Sequence, residues 1–103
     1  MAISVSEELK AEILAELGYN DQSPQSEKDR VAVYIRNGIY ALNKIAGAEI
    51  NFDDDRNARS LLASYCRYCN SYVIEEFEEN FQDDLLRLYL EHRVKEVGAN
   101  GEN

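Results

Sequence analysis

Between Arg56 and Phe77 the apolar residues of this chain fall on two stripes of a helix rather than one. At about 100° per residue, Leu61, Tyr65, Tyr68 and Tyr72 share the first line. Leu62, Cys66, Cys69, Val73 and Phe77 form the second, turned by roughly a quarter to a third of a circle. A narrow polar strip of Ser60, Ser64, Arg67, Ser71 and Glu78 occupies the far side. A single neighbour cannot cover both stripes. This helix, expected over Arg56 to Glu79, is therefore central, with partners on two sides. The chain then turns acidic: Glu75, Glu76, Glu78, Glu79, Asp83 and Asp84 follow one another with no basic residue among them.

The remaining pattern is also helical. Leu9, Ile13 and Leu17 share a face of a first helix from about Glu7 to Leu17, stopped by Gly18. Ser6 or Ser4 can cap it, and Ser4 with Glu7 fits a capping box. The segment YNDQSPQSEKD reads as a turn, with Ser23–Pro24 or Ser26 starting a second helix that runs to Ala46. Its inner stripe is Val31, Ile35, Ile39, Leu42 and Ala46. Gly38 interrupts it at up to about 1 kcal/mol relative to alanine, which points to a close packing contact. Val33 and Tyr40 lie on the opposite face beside Arg36 and Lys44. GAEINFDDDRN is the longest break, with Ile50 and Phe52 as its anchors or as a short extended piece, and one of Asp53, Asp54 and Asp55 can cap the next helix. Asn80 can cap a last helix, Phe81 to Val97, or the third helix continues through it; Leu85, Leu86, Tyr89, Leu90, Val94 and Val97 are the apolar face and Gly98 the end. The expected fold is all-α: one domain, 1–103, a small bundle of about four helices with a longer loop between the second and third. Residues 1–5 and 98–103 are expected to fray.

A net charge of −9 argues against non-specific attraction to DNA or to an anionic membrane, which requires clustered Lys and Arg. No run approaches the roughly 18 apolar residues of a membrane span. MAISVSEELK lacks the apolar core of a secretion signal, so the expected setting is a reducing cytoplasm with Cys66 and Cys69 as free thiols. Their C-x-x-C spacing falls mid-helix. A zinc site needs two further ligands and the chain has one histidine, His92. A redox pair belongs at a helix start after a strand. Two small core residues three apart is the better reading. The acidic runs lack the glycine turn of a calcium loop, and the residue three before His92 is Tyr89, so no Glu-x-x-His pair exists for a di-iron centre. No nucleophile has a partner base and no glycine-rich phosphate loop is present. Neither catalytic residues, cofactor nor metal are expected.

Tyrosine is enriched where a buried face meets water, as at subunit contacts. Tyr65, Tyr68 and Tyr72, with Val33 and Tyr40 on the second helix, are the candidate interface residues. Glu75, Glu76, Glu78, Glu79, Asp83 and Asp84 are candidates for facing a partner or a channel.

The stretch INFDDDRNARSLLASYCRYCNSYVIEEFEENFQDDLLRLYLEHRV, preceded by DRVAVYIRNGIYALNKIAG, resembles the head–tail connector (head-completion) proteins of tailed phages. The likeness spans roughly Lys28 to Val94 and rests on helix faces and the acidic–aromatic junction EEFEENFQDDLL. It implies a small all-helical virion protein, made in the host cytoplasm, that assembles as a homo-oligomeric ring below the portal. Such a ring extends the DNA channel and docks tail or adaptor proteins. DNA passes without specific binding, and no membrane or catalytic residue is involved. The alternative is a small acidic regulator or DNA-mimic inhibitor that fills a basic groove on another protein. Arg30, Arg36, Lys44, Arg56, Arg59 and Arg67 interrupt the acids in a way that suits it less.

Overall fold

The computed structural model describes residues 5–100, and the side chains of residues 5–93. Those residues form five α-helices and no strand: α1 (Glu7–Glu16), α2 (Gln25–Ala46), α3 (Arg56–Asn70), α4 (Phe77–Asn80) and α5 (Gln82–Asn100). A single 3₁₀ turn, Ile74–Glu76, leads into α4. The all-helical class is as expected, with five helices in place of about four.

Local chemistry sets most of the boundaries. The Ser6 hydroxyl accepts from the Leu9 N–H at 3.0 Å and starts α1; Ser4 lies outside the described residues. Gly18 ends it at φ 91°, where the Tyr19 N–H reaches back to Leu14 O at 2.9 Å. Ser23 does not cap α2 as expected. Its hydroxyl accepts from the Asn20 N–H at 2.9 Å inside the turn, and Pro24 precedes the first helical residue instead. Asp55 is the aspartate that caps α3, accepting from the Ala58 N–H at 3.0 Å.

The expected long third helix is two pieces. It stops at Asn70, and Tyr72 turns left-handed at φ 62°. The Val73 N–H donates to Tyr68 O at 2.9 Å and the Tyr72 N–H to Cys69 O at 3.0 Å, the paired bonds of a Schellman closure. Periodicity concealed the break because Phe77, eleven residues after Cys66, keeps the count of its stripe in the sequence. Asn80 ends α4 rather than capping α5, and its amide donates to the Tyr68 hydroxyl at 3.0 Å. Gly98 lies within α5. A glycine ends a helix only where it turns left-handed, and otherwise costs about 1 kcal/mol relative to alanine.

One cluster of buried side chains draws on all five helices. The α2 stripe of Val31, Ile35, Ile39, Leu42 and Ala46 is buried throughout. It faces Leu61, Leu62 and Cys66 of α3, Leu85 and Leu88 of α5, and Leu9 and Ile13 of α1. Ile50 and Phe52 are buried and anchor the long loop. Side-chain bonds hold α1 down: Ser6 donates to Asp53 at 2.8 Å and Arg59 pairs with Glu12 at 2.9 Å.

At Gly38 side chains of α3 lie directly against the α2 backbone. A Cβ there would stand 2.6 Å from Leu62 Cδ1 and 2.9 Å from Tyr65 Cδ1. Leu62 is fully buried and has no room to retreat. Alanine's better helix propensity therefore loses to overpacking, which costs about 1–3 kcal/mol. Gly38→Ala should lower the urea midpoint of unfolding; an unchanged or raised midpoint would show that α3 can shift to make space.

Candidate functional site

The residues expected at an interface separate into two groups. Tyr65 and Tyr68 are only half-exposed and spend their rings within the chain. Tyr65 meets Phe77 edge-on with centroids 5.4 Å apart, and Tyr68 meets Phe77 and Phe81 edge-on at 5.8 and 5.5 Å. Phe77 and Phe81 stack at 4.9 Å. This aromatic cluster fastens α4 to the end of α3. Tyr72, Tyr40 and Val33, in contrast, are 75%, 63% and 43% exposed.

Tyr72 occupies the left-handed position that Gly18 and Gly47 fill at the ends of α1 and α2. A Cβ in that conformation is disfavoured by about 1–2 kcal/mol. The break in α3 places a large ring in water at a conformational cost, which packing inside the chain does not offset. Tyr72→Gly should thus raise stability by about 1 kcal/mol, read as a higher urea midpoint with unchanged helical circular dichroism. A lower midpoint would mean that the ring is held by contacts that its exposure does not reveal.

The face of α5 also divides. Leu85, Leu88 and His92 turn inward, while Leu86 and Leu90 remain 56% and 47% exposed and Tyr89 is exposed beside them. Leu86, Tyr89 and Leu90 are thus surface residues, contrary to the single apolar face expected; the side chains of Val94 and Val97 lie outside those described. The doublets Leu85–Leu86 and Tyr89–Leu90 signalled this, because neighbours in sequence lie about 100° apart on a helix. An open groove of about 650 Å³ runs along this outer side. Ile45, Leu85, Leu86 and Tyr89 form its apolar lining, and Glu75, Glu78 and Glu79 its acidic edge.

The six acidic candidates are split accordingly. Glu75, Glu78 and Glu79 share the groove, and Glu76 and Asp83 are exposed away from its lining. Asp84 sits in the first turn of α5 and pairs with Arg87 at 3.3 Å. Among the described residues, Glu75, Glu78 and Glu79 have no salt-bridge partner.

His92 is buried. Its Nδ1 lies 2.9 Å from Leu88 O, a carbonyl that can only accept, so Nδ1 carries the hydrogen. Nε2 faces Asp55 Oδ2 at 3.9 Å. The residue that starts α3 thereby also meets α5. This is a structural contact that the sequence alone could not reveal, since the partners are 37 positions apart.

Cys66 is buried and Cys69 half-buried, both free. Burial, with Cys69 beside it, pushes the Cys66 thiol from its ordinary 9.0 up to about 12. Burial also raises Cys69, and it raises the Tyr65 phenol with the two cysteines adding to it. Such thiols are poor nucleophiles and poor metal ligands at neutral pH. No group of three or more His, Cys, Asp or Glu that could hold a metal ion exists among the described residues, and no helix among them is long and apolar enough to cross a membrane. The raised thiols fix a pH dependence. Above pH 9.0 the unfolded chain loses the Cys66 proton while the folded chain keeps it, so stability falls as pH rises from 9.0 toward about 12. Urea midpoints should drop between pH 8 and pH 10.5, and Cys66→Ala should flatten the slope. An equally steep slope in that variant would assign the dependence to other groups.

No family model, no curated protein and no solved structure matches the chain.

Proposed function

We propose that this chain is a structural subunit of a tailed-phage head–tail junction, forming a ring between portal and tail that continues the DNA channel. The observation that carries this reading is the pair of separate unpartnered apolar surfaces. Val33 and Tyr40 lie on one helix, and Leu86, Tyr89 and Leu90 on another. A chain of 103 residues that leaves this much large apolar side chain in water on two faces is built to be covered by other molecules. A ring is the economical way to cover two different faces, because a cyclic contact joins unlike patches.

Three further features support the reading. The all-helical architecture is the one the sequence resemblance implies. The long helices α2 and α5 give a rigid element on which subunits can stack. The acidic balance, −9 over the chain, suits a conduit, since carboxylates near a phosphate backbone weaken its adhesion.

The test is co-sedimentation of the purified chain with DNA-filled heads that carry a portal, followed by imaging of the vertex. A ring of density at the portal that appears only when the chain is added is the expected result. A chain that stays monomeric at high concentration and never sediments with such heads would overturn the proposal. Binding that DNA competes away from a basic enzyme groove would instead identify a DNA-mimic inhibitor.

A further inference from the structure

The two unpartnered surfaces differ in charge, and in opposite senses. On α2, Val33, Arg36, Tyr40 and Lys44 are spaced three, four and four apart, so they form one strip along one side of the helix. All four are exposed. From Arg30 to Ala46 the helix carries three basic residues and no acidic one, in a chain with 20 acids against 11 bases. Arg36 and Lys44 have no ion pair among the described residues. The groove beside α5 is the converse. Its floor of Ile45, Leu86 and Tyr89 is apolar and its edge of Glu75, Glu78 and Glu79 is acidic; among the described residues none of the lining is basic. A cation does stand beside Tyr89: Arg93 lies 6.0 Å from its ring and donates to its hydroxyl at 3.2 Å.

We infer that the occupant of the acidic groove is the Val33–Arg36–Tyr40–Lys44 strip of a second copy of this chain. The strip is a basic amphipathic helix face about 16 Å long, at about 1.5 Å per residue, on which apolar Val33 and Tyr40 alternate with Arg36 and Lys44. The groove offers apolar side chains beside an edge of carboxylates. Tyr40 and Ile45 lie about 140° apart around α2, five positions along the same helix, so one copy presents the strip while its own groove remains open. The contact is therefore head-to-tail, and it repeats from copy to copy. Burial of Tyr40, Val33 and Leu86 supplies the affinity. The exposed ion pairs add little, but they set register and hinder wrong pairings. This inference rests on the ring reading and goes beyond it by assigning the two surfaces. It gives Glu75, Glu78 and Glu79 to the subunit contact and leaves Glu76 and Asp83 outside it.

Two exposed positions allow a test that spares the fold. Tyr40→Asp removes the strip and keeps the groove; Leu86→Asp removes the groove and keeps the strip. Sedimentation velocity on the full chain, alone and on portal-bearing heads, should show assembly of the unaltered chain. It should show loss of assembly by each variant, with unchanged circular dichroism. The mixture of both variants should give a 1:1 pair and nothing larger, because only one functional strip and one functional groove remain. If the unaltered chain assembles and either variant assembles equally well, the pairing is overturned while the ring reading stands. If the mixed variants behave as the sum of the single ones, the contact is not strip-to-groove and the pairing fails. If Leu86→Asp abolishes binding to heads and Tyr40→Asp does not, the groove takes a foreign basic segment instead. If the unaltered chain assembles neither alone nor on heads, the ring reading falls first and takes the pairing with it.

Discussion

The close approach of α2 and α3 at Gly38 is the contact on which the rest of the structure depends. Leu62 and Tyr65 lie against the α2 backbone where any side chain would exclude them. That approach lets the α2 stripe and the Leu62–Cys66 line interlock as a two-helix sandwich. The other elements then fill the edges. Leu9 and Ile13 bring in α1, Phe77 brings in α4, and Leu85 and Leu88 bring in α5. The loss of helix propensity at Gly38 is offset by dispersion and burial along both helices.

The second organising element is the break after Asn70. Ending α3 there takes Phe77 off the line of the helix and folds it back on Tyr65 and Tyr68. It also brings the acids Glu75, Glu78 and Glu79 to the side of α5. A continuous helix would have carried them away from Leu86 and Tyr89. The groove with an acidic edge is thus a consequence of a Schellman closure at a tyrosine. The same closure leaves Tyr72 in water, where folding of the monomer gains nothing from it.

Much of this was legible in the sequence. The inner stripe of α2, the inward face of α1, the anchoring of Ile50 and Phe52, and the close contact at Gly38 all follow from period and residue type. The two stripes of α3 announced a central helix, but that place belongs to α2, which packs against α3, α5 and α1, whereas α3 packs on α2 and on the turn Ile74–Glu76. What was not legible has a common cause. The sequence period fixes a residue's angle on its helix but not where neighbouring helices stop. Tyr65 and Tyr68 have the same spacing whether a second subunit or Phe77 and Phe81 cover them. The doublets Leu85–Leu86 and Tyr89–Leu90 show that the apolar face of α5 is too broad for one neighbour, but only the placement of α2 decides that the Leu85–Leu88–His92 line is the covered one. The capping role of Asp55 could be narrowed to three aspartates, and its contact with His92 could not be foreseen.

By itself, then, the sequence determined that this chain is helical and which residues of each helix are apolar. Both are local properties, set by a repeat near 3.6 residues and by turn chemistry at Gly18, Gly47 and Asp55. It also determined that the charge is concentrated, acidic after Glu75 and basic along α2. Only the tertiary structure decided which apolar residues remain uncovered and which charges stand beside them. Coverage depends on the direction of each helix after a turn. At Tyr72 that direction hinged on one left-handed residue where neither glycine nor asparagine marked the turn.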